Sequence, residues 1–282
     1  MVMKQHLLLV TNGRPESLGA VHYGAWLAEL LDIPVTLLGI LDEDQNEQAV
    51  DSILMQVRER LAEKNLILVQ NIVRGDPVEV ICRIAEASKH LVVMGPLGRP
   101  GWLRWLRGRS FRYVLKEIRT PLIYVQAPHL RINSILVCMG GLGYASSVER
   151  WALYLARCSG ASVTLLHISE PVCYDYATTK QIRAYGEEII KSETPQGRNL
   201  GLALGDAEAL GVPVALKVRH GDVIHEINAE ISEQSYDLIA MGSPESSHSL
   251  RRRFMQNVTA QIAERGTLPV LVARMGQEPI QE

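Results

Sequence analysis

The chain has 282 residues, 47% of them hydrophobic and 21% charged, with a formal net charge of -2. That length fits one large domain or two small ones, either with a sizeable core, in an ordinary soluble globular composition. The near-neutral balance argues against nucleic acid as a partner, and no apolar run approaches a membrane span.

The first apolar run, Leu7 to Val10, ends at Thr11-Asn12-Gly13. It is too short for the apolar stretch of a secretion signal, so a cytoplasmic protein is expected. Cys82, Cys138, Cys158 and Cys173 form neither a C-x-x-C pair nor a zinc-spaced set with histidine, and read as small buried hydrophobes in a reducing compartment.

Apolar runs at 6–11, 34–40, 66–73, 91–95 and 121–126 predict strands. Between them lie stretches with helical spacing. Leu18, Tyr23, Trp26, Leu27, Leu30 and Leu31 share one face of the first; Ile53, Leu54, Val57 and Leu61 line the second; Val80, Ile81, Ile84 and Ala85 line the third. Strand alternating with helix predicts a parallel sheet covered on both sides. The pattern recurs at 134–139, 162–168, 213–219, 237–241 and 269–273.

The recurrence is a true repeat. Leu7-Leu8-Leu9-Val10 matches Ile135-Leu136-Val137-Cys138, and Val35-Thr36-Leu37-Leu38 matches Val163-Thr164-Leu165-Leu166, both 128 positions on. Val92-Val93-Met94-Gly95 matches Ile239-Ala240-Met241-Gly242, now 147 on. The offset grows once, which puts an insert between Ser169 and Gly211, with a helical stretch expected from Ala177 to Lys191. Two α/β domains, 1–128 and 129–282, are therefore expected. Each is a doubly wound, five-stranded parallel sheet with four helices. Ligands in such sheets sit beyond the carboxyl ends of the strands, where the winding reverses.

Leu91 to Met94 runs straight into Gly95. Gly98 follows, then nine residues, then Gly108, Arg109, Ser110 and a helical pattern from Phe111 to Ile118. A strand, a glycine-rich loop and a helix start bring backbone N–H groups together at the positive end of a helix, a place that suits phosphate.

In each repeat a Met-Gly closes the fourth strand, and a Gly-Asp (Gly75-Asp76, Gly221-Asp222) opens the helix before it. With the tandem α/β pattern, this resembles a tandem universal stress protein, over nearly the whole chain. The resemblance implies an adenine nucleotide alpha hydrolase-like fold and a bound adenine nucleotide, ATP or AMP. Nucleotide-binding relatives carry G-x-x-G, nine residues, then G-[ST]. Gly95, Gly98 and Gly108 fit, whereas Arg109 stands where Ser or Thr is expected and Ser110 follows it. Phosphates would lie on the N–H groups of Gly98 and of Gly108 to Phe111, under Arg99, with Met94 closing the strand. Adenine would lie near Val10, Thr11 and Ile40. Where relatives end the first strand in Asp, this chain has Asn12, which brings no charge for a metal such as Mg.

The second repeat departs further. Gly140 replaces the acidic residue, Glu245 stands for the second glycine, and Met255 and Gln256 take the places of the third glycine and its hydroxyl partner. A carboxylate repels phosphate, and Met denies the backbone approach that Gly allows. The second domain is read as a structural or regulatory partner with a degenerate loop.

Arg99, Arg104, Arg107, Arg109 and Arg112, with Trp102 and Trp105 among them, read as a basic lid over a polyphosphate or a surface for an acidic partner. Arg251-Arg252-Arg253 reads as a solvated charge run in the comparable loop of the second repeat, and Asp76 and Asp222 as helix N-caps. No Gly-Lys pair, no G-x-S-x-G and no complete H-E-x-x-H occurs, so the residues ask for binding, with slow ATP hydrolysis at most. Two alternatives stay open: an interaction protein without a nucleotide, and a binder of another phosphorylated ligand such as a nucleotide-sugar. The fifth strands, Pro121–Val125 and Pro269–Ala273, are edge candidates for pairing, within the chain as a pseudo-dimer or between chains as a homodimer.

Overall fold

Strands that are apolar at every position, not at every second one, must be covered on both faces. The computed structural model describes residues 5–41, 47–62, 64–88, 91–97, 109–127, 129–139, 146–169, 194–243, 250–274 and 276–279. In it these runs become β1 (Leu7–Thr11), β2 (Val35–Leu41), β3 (Ile67–Arg74), β4 (Leu91–Met94) and β5 (Leu122–Tyr124). The helices between them are α1 (Pro15–Leu31), α2 (Glu47–Ala62), α3 (Pro77–Ser88) and α4 (Arg109–Glu117). Every residue of β1, β2, β4 and β5 is buried. The expected helix Ala177–Lys191 lies outside the described residues.

The second repeat gives β6 (Ser134–Met139), α5 (Ser146–Ser159), β7 (Ser162–Ser169), α6 (Pro195–Ala209), β8 (Val214–His220), α7 (Val223–Glu233), β9 (Leu238–Ser243), α8 (Leu250–Arg265) and β10 (Val270–Arg274). Two expectations are corrected here. Arg251–Arg253 and Met255-Gln256 belong to α8, not to a loop, because arginine, methionine and glutamine are all good helix formers. The fourth strand also runs on through Gly242 to Ser243.

The chain forms two compact units. The first comprises Met1–Leu130, Thr259–Val272 and Pro279–Glu282; the second comprises Arg131–Val258 and Ala273–Glu278. In the first unit β1 lies between β2 and β4, all parallel, with β3 beyond β2 and β5 beyond β4. The register pairs Leu9 with Leu37 on one side and with Val93 on the other. Winding therefore reverses between β1 and β4. The first unit is completed by β10, which pairs antiparallel with β5: Val270 with Tyr124, Leu271 with Ile123, Val272 with Leu122. Beside that pair Arg112 Nη2 meets Glu264 Oε2 at 2.9 Å.

Two glycines set how closely α2 approaches the sheet. A Cβ on Gly39, in the middle of β2, would stand 2.2 Å from Val50 Cγ1. One on Gly13 would stand 2.7 Å from Val50 Cγ2, and Gly13 itself has a φ of +74°, which side chains disfavour. Val50 fills the notch that these two leave.

In the second unit β6 lies between β7 and β9, with β8 beyond β7. Fully buried Glu230 on α7 anchors the outer side. It accepts from Lys217 Nζ at 2.6 Å, Arg219 Nε at 2.9 Å and Tyr236 Oη at 2.6 Å. Burial pushes its carboxyl up, but those three donors outweigh burial and hold it below the usual carboxylate range. Asp222 caps α7 by accepting from His225 N at 2.9 Å, and Asp76 caps α3 by accepting from Val78 N and Glu79 N at 3.0 and 3.1 Å, as the Gly-Asp pairs predict. Cys82, Cys138 and Cys158 form no disulfide. Cys138 is buried, and its thiol is pushed up to about 12 by desolvation and by Glu230. Cys158, expected inside, is exposed on α5.

Gly39→Ala should over-pack the notch and cost about 1–3 kcal/mol. Chemical denaturation would show a lower midpoint, and adding Val50→Ala should recover part of the loss by vacating the space. No change in the single variant would contradict this packing.

Candidate functional site

Because β1 and β4 are parallel neighbours, Thr11 and Met94 finish on the same edge of the first unit's sheet. The segments that follow, Asn12 to Arg14 and Gly95 to Leu97, leave from that edge. Arg14 takes the N-cap position of α1 with no side-chain hydrogen bond to the helix, and Pro15 begins the first turn. The positive end of α1 therefore carries no side-chain cap at this edge.

The polar side chains here are used to build the turn. Thr11 Oγ1 accepts from Gly13 N at 3.1 Å and lies 2.7 Å from Ser17 Oγ. Asn12 Oδ1 accepts from Arg14 N at 3.3 Å. Ser17 Oγ donates to the Arg14 carbonyl at 2.8 Å. Such short side-chain bonds to nearby backbone fix a chain reversal.

The expected ligand contacts divide into groups. Val10, Thr11, Ile40, Met94 and Phe111 are fully buried, and Asn12 is buried too. Phe111 stacks on Tyr124, ring centroids 4.1 Å apart. Gly95 has a packing reason of its own, since a Cβ there would come within 2.9 Å of Ala20 Cβ and of the Val125 carbonyl. Arg109 and Ser110 open α4. Gly98, Arg99 and Gly108 lie outside the described residues, as do Gly140 and Glu245 of the second repeat. Sequence reasoning passed over Arg14. Its Nε is buried and makes no hydrogen bond, on the N-cap residue of α1. A cation at the N-cap position, where Ser, Thr, Asp and Asn prevail, was the available signal.

In the second unit the first turn of α5 carries Glu149, a buried carboxylic acid. Desolvation, then Asp206, raise its carboxyl to about 8 against the pull of Arg150. Among the described residues, no group of three or more His, Cys, Asp or Glu is arranged to hold a metal ion, and no helix is long and apolar enough to cross a membrane.

A family model described as the universal stress protein family matches residues 3–126 and again 131–274. The chain belongs to the universal stress protein family. It carries two such domains in tandem. Solved structures share the fold along the whole chain. A universal stress protein from Archaeoglobus fulgidus is similar with a TM-score of 0.67 and 19% identity, over 96% of this chain and 98% of its own. A functionally unknown protein from Pseudomonas aeruginosa is similar at 0.62 and 14%, over 96% and 92%. The cytoplasmic domain of a prokaryotic cation chloride cotransporter is similar at 0.51 and 16%, over 99% and 97%. No curated protein matches the sequence.

In this universal stress protein the acid Glu149 should make stability fall with rising pH. An unfolded carboxyl near 4.5 releases its proton first, while the folded chain keeps it to about 8. Between those values the folded state binds the extra proton, so each step up in pH costs stability. Glu149→Gln should therefore raise the melting temperature, with a gain that grows from pH 5 to pH 8. A gain that stays flat over this range would count against a buried, protonated Glu149.

Proposed function

We propose that this universal stress protein is a cytoplasmic stress-response protein that binds an adenine nucleotide, ATP or AMP, in its first unit, while the second unit is structural or regulatory. The observation that carries the reading is the register of β1 with β4, Leu9 opposite Val93, which sends Asn12–Arg14 and Gly95–Leu97 out of one edge at the reversal of winding. Support comes from the helix end there, which has no side-chain cap, and from the buried, unbonded Nε of Arg14. An anion satisfies both. The spacing Gly95, Gly98, Gly108 supplies backbone donors in the same neighbourhood of the sequence.

The residues fit the group in a particular way. Thr11 and Asn12 use a hydroxyl and an amide oxygen within the turn, so their part is to shape it. Main-chain amides and Arg14 would hold the phosphates. When bound, ATP would supply a polyphosphate whose slow hydrolysis is the most this site would perform.

A second reading rests on one observation. Val10, Thr11, Ile40, Met94 and Phe111 offer no exposed surface to an adenine. It is an interaction protein without a nucleotide, or one that takes another phosphorylated ligand such as a nucleotide-sugar. Mass spectrometry of small molecules that co-purify separates these readings.

Calorimetry with ATP on the full chain tests the first reading. Gly98→Glu and Gly108→Met should abolish measurable heat. Arg14→Ala should weaken binding by about tenfold or more, as removal of a charge-assisted hydrogen bond does. Affinity unchanged in all three variants would remove this site.

A further inference from the structure

We propose that Ser169 is a nucleophile that accepts an acyl group, with His220 as its base. The two residues are 51 positions apart in sequence and are brought together by sheet register. β7 and β8 are parallel, and Ser169 is the register partner of His220 at their last rungs. Ser169 Oγ is hydrogen-bonded to His220 Nδ1. Both residues are partly exposed, at the carboxyl edge of the second unit's sheet, the edge where doubly wound folds keep their ligands.

A serine hydroxyl is a poor nucleophile until a base takes its proton, and a neighbouring imidazole is the usual base. In the tautomer that carries its proton on Nε2, His220 offers Nδ1 to the Ser169 hydroxyl. A second imidazole stands nearby. His167, two residues before Ser169 and so on the same face of β7, is buried with its Nδ1 3.3 Å from the Met139 carbonyl. Burial keeps it below the ordinary imidazole range, which favours the neutral ring.

The charges on β8 select the class of substrate. Lys217 and Arg219 alternate with Val218 and His220, so they project from the opposite face. There Glu226, Glu230 and Glu233 hold them. The face with Ser169 thus has no fixed cation among the described residues of β7 and β8. A phosphate would find no countercharge from these strands, whereas an uncharged activated ester needs none.

In the step, Ser169 Oγ bonds to the carbonyl carbon of the ester. The bond from that carbon to the leaving alcohol's oxygen breaks. The hydroxyl proton moves to His220 Nδ1 and from there to the departing oxygen or to solvent. The product is an acyl ester on Ser169, with no change of oxidation state.

The full-length chain with p-nitrophenyl acetate provides the test, read by nitrophenolate release, intact mass and peptide mapping. Native protein should gain one acetyl group, on Ser169, and chain unfolded in urea should show none there. Ser169→Ala should abolish the modification. His220→Gln should slow it by about a hundredfold or more, the usual contribution of a general base, with circular dichroism unchanged. Acetyl groups on lysines with none on Ser169 would overturn the proposal. So would the same rate at Ser169 in native and unfolded chains, or in wild type and His220→Gln. The native-against-unfolded comparison needs no variant to fold.

Discussion

Hydrogen bonding between β1 and β4 is the constraint on which the first unit depends. It joins a strand from the start of the repeat to one made 84 residues later, as Leu7 opposite Leu91 records. Once they are neighbours, right-handed crossovers must send α1 and α2 to one face and α3 and α4 to the other. At such a reversal doubly wound folds keep their ligand crevice, and β1 and β4 both end at that carboxyl edge. The loop chemistry at Asn12 and Gly95 has meaning only because of that adjacency. The same rule acts in the second unit, where β6 lies between β7 and β9.

Much of this fold can be read in the residues. Strands apolar throughout announce parallel pairing, and the observed bounds differ from the expected ones by a residue or two at most sites. Helix starts are legible where a cap does the work, as at Asp76 and Asp222. They are illegible where the signal is side-chain charge. Arg251 to Arg253 suit a solvated loop and a helix surface equally, and here they belong to a helix. Gly39 is silent for another reason: inside an apolar run it reads as one more small residue. Only the arrival of Val50 from α2 shows why it must be glycine.

Of the candidate site, the place of its two opening segments was legible in the sequence, and the work of their side chains was not. The glycine pattern points to the segment that leaves β4, and the register puts its first residue, Gly95, beside the end of β1. What Thr11 and Asn12 do was not legible, since a turn and a ligand compete for the same oxygens and sequence does not say which wins. The pairing of Ser169 with His220 could not be read at all. Each is an unremarkable residue at a strand end, and only alignment of two parallel strands puts them in contact.

The position of β10 has a consequence for synthesis. The strand that finishes the first unit's sheet comes after β6 to β9 in the chain and is made later than all of them. Until it arrives, the edge of β5 that pairs with β10 presents a bare row of amides and carbonyls. A nascent chain must therefore keep that flank open while β6 to β9 are made, which is when chaperones and stray strands compete for it. A message cut short before β10 would leave the opening half unfinished as well as the closing one.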